Sequence, residues 1–267
     1  MFRFKSAILA LALWAVVAPQ AQAQSAPWVF GIGTGVARMS TEGTQGFNTA
    51  LFGPVEADFD LSPDEFKDLM ETGIGGGFLA TNGTWTVKAS YGKIKLGGMV
   101  AGTLDAGFGG FDFDADAFFE IKAGELTIGR TAYRSASNKF ALTPHVGVRN
   151  TKHELGLDLT IMDGVPTELS GGMDETWTDV LVGTSLDFVL SPKWTWGTEL
   201  NAGFGGSEGT YKVATAFSWK PAAHWAISPN ASLTKTEFQN GVKGDSDWYF
   251  YDSTDISVGL AVMYLFF

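Results

Sequence analysis

The stretch Ile256-Ser-Val-Gly-Leu-Ala-Val-Met-Tyr-Leu-Phe-Phe267 decides the fold. Apolar side chains stand at 256, 258, 260, 262, 264 and 266, and the residues between them begin small, as Ser257, Gly259 and Ala261. A repeat of two is that of a β-strand, whose side chains alternate between faces. One face here is apolar throughout. Such a strand suits a closed barrel whose outer face touches lipid.

The other end of the chain agrees. Arg3 and Lys5 precede an apolar run from Ala7 to Val17, and Ala21-Gln22-Ala23 reads as a signal-peptidase site. Residues 1–23 are therefore expected to be a signal peptide, and 24–267 a single barrel domain. Losing Arg3 and Lys5 takes Lys+Arg from 18 to 16 against 29 Asp+Glu, so the net charge moves from −11 to −13. So acidic a chain is a poor match for nucleic acid. No later stretch reaches the ~18 continuous apolar residues of a membrane helix. The 34 Gly and the 36 aromatics (9 Trp, 21 Phe and 6 Tyr) instead suit strands with one lipid face and a crowded inner face. With no Cys, disulfides and thiolate metal sites drop out.

Alternation continues through the chain. Trp28, Phe30, Ile32, Thr34 and Val36 oppose small residues. Asn82-Gly83 is a strong hairpin signal between strands expected at 72–81 and 84–96. Within a long loop at 41–71, Ser62-Pro63-Asp64-Glu65 reads as a capped helix start. The helix at 63–71 would turn Phe66, Leu69 and Met70 to one side, as a plug or as plain loop structure. In 111–134 the apolar parity flips near Gly124, which a bulge or an extra hairpin explains equally well. The segment 139–160 flips in the same way.

Short turns at 82–83, 135–138, 191–193 and 220–223 contrast with long connections at 41–71, 97–110, 161–174 and 240–252; the short 206–209 connection breaks the pattern. Short periplasmic turns and long external loops place both termini in the periplasm. The expected fold is all-β, a transmembrane antiparallel up-and-down barrel of about ten strands, with eight or twelve open. Trp28, Trp85, Trp194, Trp196, Trp219 and Trp225 flank the short-turn end and read as an interfacial girdle.

Inward parity selects Lys88, His145, Arg149, Asp179, Asp187, Glu199 and Lys212. Opposite charges in a narrow lumen must pair or stay wet. They read either as packing that fills the barrel or as a filter on a hydrated path. Two functions follow: a narrow or gated passage for a small solute, or a structural barrel acting through its loops. His153-Glu154 is half of an acid/base pair at most, and no local motif supplies a nucleophile, so no enzyme is expected. Three acidic groups, at Glu56/Asp58/Asp60, Asp112/Asp114/Asp116 and Asp245/Asp247/Asp252, show no recognisable Ca²⁺-loop pattern and read as a solvated rim. No metal or cofactor is expected.

From about residue 125 onward the chain resembles a broad family of small proteobacterial outer-membrane barrels, related in architecture to the outer membrane protein A and outer membrane protein W types. Gly129 with Tyr133-Arg134, Gly147-Val148-Arg149, Trp177, Asp179 and Gly183 carry the likeness, followed by Ser191-Pro192-Lys193-Trp194, Gly203 and the final Phe267. The N-terminal third matches more weakly, through Trp28 and Val55-Glu-Ala-Asp-Phe-Asp60. A terminal Phe is similar to the targeting signal read by the barrel-assembly machinery, although Leu265 stands where an aromatic is usual. The resemblance implies a membrane-embedded barrel in contact with outer-membrane lipid and lipopolysaccharide. It implies no particular substrate.

Overall fold

The computed structural model describes residues 27–49, 53–105, 110–161 and 167–267. The expected signal peptide lies outside them. The elements are β1 (Val29–Thr49), β2 (Gly53–Leu61), α1 (Pro63–Leu69), β3 (Met70–Thr81), β4 (Trp85–Asp105) and β5 (Gly110–Arg130). They continue with β6 (Tyr133–Arg134), β7 (Phe140–Ile161), β8 (Thr167–Ser191), β9 (Trp194–Phe204), β10 (Gly209–Ala222), β11 (Trp225–Asn240) and β12 (Tyr249–Phe266).

Ten of these strands form a closed antiparallel barrel. Each pairs with the next, and β12 returns to β1 from Phe30 opposite Phe266 to Phe47 opposite Tyr249. Closure removes the free edges that lipid would not solvate. The other two strands are side pieces: β2 pairs with the far half of β1, and β6 pairs briefly with β7. Turn chemistry fixes the hairpins at one end. Gly83 adopts φ +77°, and the Asn82 side-chain oxygen accepts from the backbone N–H of Thr84 and Trp85 at 3.0 and 2.7 Å.

Three expectations are corrected. First, much of the expected long loops is strand. Pairing of β4 with β5 runs to Asp105 opposite Gly110, and that of β7 with β8 to Ile161 opposite Thr167. Second, neither a bulge nor a hairpin sits at Gly124. Its register is unbroken on both sides, opposite Tyr91 on β4 and Asn150 on β7. The apolar parity flips because the strand leaves the lipid. Towards the short turns, Leu126, Ile128, Val146, Val148 and Val180 are exposed on the outer face. Beyond Gly124 the outer face carries Glu120, Lys122, Lys152 and Glu154, linked by ion pairs. There the aromatics turn inward. Third, α1 ends at Leu69 and Met70 opens β3. The capping box forms as read: the Ser62 hydroxyl accepts from the Glu65 N–H, and the Glu65 carboxylate accepts from the Ser62 N–H.

The last strand fixes its register through Leu265, which is buried on the inner face. Its N–H donates to His224 O at 2.7 Å. Phe267 lies beyond the strand, exposed, with its ring against that of His224.

Candidate functional site

The lumen divides into a charged wall, an open wall and an aromatic stopper. In the charged wall, Lys88 crosses from β4 to Glu199 on β9 at 2.6 Å and donates to the Ser185 hydroxyl at 3.1 Å. Asn201 donates to Glu199 at 2.9 Å, and its side-chain oxygen pairs with His145 Nε2. Arg149 donates through Nε and Nη2 to one oxygen of Glu125, at 3.1 and 2.7 Å, and Lys212 approaches that oxygen at 3.7 Å. Lys88, His145, Arg149, Glu199 and Lys212 thus meet as one polar layer. Charges of both signs in a confined lumen pair or keep water, and here the lysines keep some of both, with Lys88 and Lys212 41 % and 26 % exposed.

The other two expected lumen charges are used differently. Asp179 is 0 % exposed and ties in the β9–β10 turn. It accepts from the N–H of Gly206 and Ser207 and from the hydroxyls of Ser207 and Thr210, at 2.7–3.2 Å. Asp187 stands nearer the short turns, exposed to the lumen beside Gly197. Sequence reasoning missed Glu125 and Asn201. Glu125 shares β5 with Leu126 and Ile128 at opposite parity, so a strand read straight through Gly124 would have found it.

The open wall is built from β1, β3 and β4. Gly35, Ala37, Gly75 and Ser90 share the inner parity and are exposed. A Cβ on Gly75 would meet only backbone, at 3.5 Å and beyond, so among the described residues no side chain comes within 4 Å of it.

The stopper occupies the extended end. Trp177, Phe238, Tyr249 and Tyr251 form a buried cluster, with Phe47, Phe59, Phe119, Leu155 and Met173 packed on it. Trp177 stacks on Phe238 at 4.1 Å. His153 sits among these rings, edge-on to Trp177 and Tyr251, and its Nδ1 pairs with the Tyr249 hydroxyl at 2.8 Å. Gln45 donates to the same hydroxyl at 2.9 Å. Burial pushes the His153 imidazole down to about 3, so it stays neutral. Burial likewise raises the Tyr249 and Tyr251 phenols. Glu154 faces the other way, towards Lys122 and Lys152, so strand alternation parts the acid/base pair drawn from sequence.

The remaining expected residues fall as follows. Trp28, Trp85, Trp194, Trp196, Trp219 and Trp225 are all exposed on the outer face at the short-turn end. Trp194 stacks on Trp219, and Arg130 lies over Trp85. Phe66 is buried, Leu69 lies over the inner side of Gly98, and Met70 is exposed. Of the acidic groups, Glu56 pairs with Lys243 and Asp58 accepts from Thr44, while Asp116 is exposed. Asp252 lies 4.0 Å from Lys235, and Asp245 accepts from the Val242 N–H. The Asp112 and Asp114 side chains lie outside the described residues. Among the described residues, no group of three or more His, Asp or Glu is placed to hold a metal ion.

No family model and no curated protein matches the chain. Solved structures do. The outer membrane protease OmpT from Escherichia coli aligns with a TM-score of 0.54 at 9 % identity, covering 92 % of this chain and 99 % of that one. A FadL homologue from Pseudomonas aeruginosa aligns at 0.33 and 8 % identity, covering 89 % and 90 %. Ail of Yersinia pestis aligns at 0.30 and 8 % identity, covering 89 % and 98 %. The likeness to OmpT is one of fold alone. With the apolar outer belt, it defines a class: this is a transmembrane outer-membrane β-barrel.

Proposed function

We propose that this chain is a gated passage for a small solute, with its strand extensions external and both termini periplasmic. The observation that carries the reading is the uneven lumen. A paired charge layer around Lys88, Glu199, Arg149 and Glu125 faces the open wall at Gly75 and Ser90. Paired charges beside a wet path act as a filter, because an ion or dipole passing them trades hydration for their field. The aromatic stopper is the gate. The chain has no catalytic role in this reading, since His153 gives its Nδ1 to Tyr249 inside a buried layer. In this orientation the outer ion-pair band from Lys93 to Lys152 meets lipopolysaccharide head groups, and the assembly machinery reads β12 and Phe267.

A second reading rests on the stopper itself. A barrel closed across its external end by Trp177, Phe238 and Tyr251 also serves as a rigid stand for its extended hairpins. Planar-bilayer recording of the refolded protein separates the two, with folding checked by mobility without boiling. Rare discrete steps are expected from the wild type and more frequent ones from Trp177→Ala. Arg149→Ala should change the ion selectivity of those steps. Silence from both wild type and Trp177→Ala, each shown to be folded, would favour the second reading.

A further inference from the structure

The cations of this chain divide by place. In the lumen and on the extension they hold carboxylates, as Lys88, Arg149, Lys93, Lys122 and Lys152 do. Among the described residues, six Lys and Arg form no ion pair: Lys67 on α1, and Arg130, Arg134, Lys139, Lys193 and Lys220. All but Lys67 stand at the short turns. The stretches 79–86, 127–140, 189–196 and 217–228 around those turns contain no Asp or Glu. Asp187, which comes next before the 191–193 turn, faces the lumen. In a chain so acidic overall, one rim is purely cationic.

The two arginines find neutral partners. Arg130 lies over the Trp85 ring, and Arg134 donates to Gly83 O at 2.5 Å. Lys139, Lys193 and Lys220 are exposed, and their ammonium groups have no partner among the described residues.

The ends of β9 and β10 bring two of these lysines together. Trp194 stands opposite Trp219 in the ladder, and their rings stack with centroids 5.8 Å apart. One residue beyond, the Lys220 N–H donates to Lys193 O at 2.8 Å. Each lysine therefore follows an outward indole, and the two are held side by side. Phe217 extends the ring surface, 4.9 Å from Trp194. On the neighbouring side the Val189 N–H donates to Lys139 O at 2.8 Å, which sets the third lysine at the adjoining turn.

Outward indoles settle at the level of lipid head groups, and a lysine just beyond them reaches the phosphates. Two neighbouring ammonium groups repel until an anion lies between them. The ring surface below accepts an apolar chain. The ligand that fits is an amphiphile with a phosphate at its head.

We propose that Lys193 and Lys220, above the stacked Trp194 and Trp219, bind an anionic glycerophospholipid of the periplasmic leaflet. The phosphodiester lies between the two ammonium groups, and the acyl chains run along the indoles. Lys139 adds to the field. A head group with its own ammonium, such as ethanolamine, would place one more cation there, so glycerol is preferred to ethanolamine. The lipid supplies the counter-charge that the chain itself lacks at this rim. The site stands whether or not the lumen conducts; it takes from the reading above only that the short turns are periplasmic.

Native mass spectrometry tests it. The refolded protein in detergent is given equal amounts of phosphatidylglycerol and phosphatidylethanolamine, and the retained lipids are counted. Wild type should keep phosphatidylglycerol in preference. Lys193→Gln with Lys220→Gln should lower that preference at least about five-fold, the weight of one lysine at an anionic surface. Lys67→Gln, which removes the unpaired lysine of α1, should leave it unchanged. Trp194→Ala with Trp219→Ala should reduce retention of both lipids. Folding of each variant is checked by mobility without boiling. Equal retention of the two lipids by wild type would overturn the site, as would an unchanged preference in the folded lysine variant. Full retention by the tryptophan variant would leave diffuse charge in its place. Lipid A, offered against phosphatidylglycerol, checks the leaflet: a preference for lipid A that depends on Lys193 and Lys220 would overturn the assignment to a periplasmic phospholipid.

Discussion

Strand β7 lives in two worlds. Near the short turns Val146 and Val148 face out, while His145 and Arg149 face in. Further along, Lys152 and Glu154 face out, while His153 and Leu155 pack inside. Backbone pairing does not change between the two stretches. Only the solvent on the outer side changes, from lipid to water. In lipid the outer face must be apolar, and the polar residues gather in the lumen. In water the outer face can carry charge, and the extension needs a buried apolar interior to hold its strands together. One barrel thus has a lipid-supported half with a polar inside and a water-supported half with an aromatic inside.

The sharpest way to break this comparison is to delete one large ring from each half. Trp177 is 4 % exposed and stacked inside the extension, whereas Trp196 is 43 % exposed on the lipid face. Trp177→Ala opens a cavity and should cost about 3–5 kcal/mol. Trp196→Ala loses lipid contact, its stack on Phe188 and one hydrogen bond to Thr215, and should cost about 1 kcal/mol. Urea unfolding of the refolded proteins measures both. Equal costs would mean that the extension has no core of its own.

A second break uses acid. His153 is neutral in the folded extension and ordinary in the unfolded chain, where its value is about 6.5. Protons therefore bind the unfolded state first. Stability is complete above pH 6.5 and should fall progressively towards pH 3, where the folded imidazole titrates. His153→Leu removes this slope while keeping an apolar group in the layer. An unchanged slope between pH 6.5 and 4.5 in that variant would show that His153 is not the group responsible.

The comparison also shows what was legible in the sequence. The hairpin at Asn82-Gly83, the helix cap at Ser62 and the strand ending at Phe266 all rest on local chemistry that the sequence displays. The exit from lipid was visible as a parity flip at Gly124 and in 139–160. Its cause was not, because period two identifies a face without saying what covers it. A kink in the chain and a change of solvent look alike in one dimension. The strand extensions hid for a related reason: Glu56, Asp58 and Asp60 read as loop residues, yet they lie along the outer face of β2. Glu125 was lost to the same ambiguity. That β1 pairs with β3 towards one end and with β2 towards the other depends on which strands meet, and no single strand encodes that.

The smallest effect belongs to the outer face of the extension, and it mirrors the His153 case with opposite chemistry. Lys122 and Lys93 hold the Glu120 carboxyl down to about 2, against an ordinary 4.5. Here the folded state keeps its charge longer than the unfolded one. The contribution is whole above pH 4.5 and disappears as the pH falls through about 2. Glu120→Gln should flatten the stability curve in that window alone. These partners lie beside water, so 1 M salt should shrink the Glu120 contribution through screening, since the Debye length is then about 3 Å. The His153 slope arises from burial, not from a neighbouring charge, and should survive the same salt. If salt erased both slopes equally, inner and outer faces of the extension would share one electrostatic environment, and the division into a watered surface and a dry core would fail.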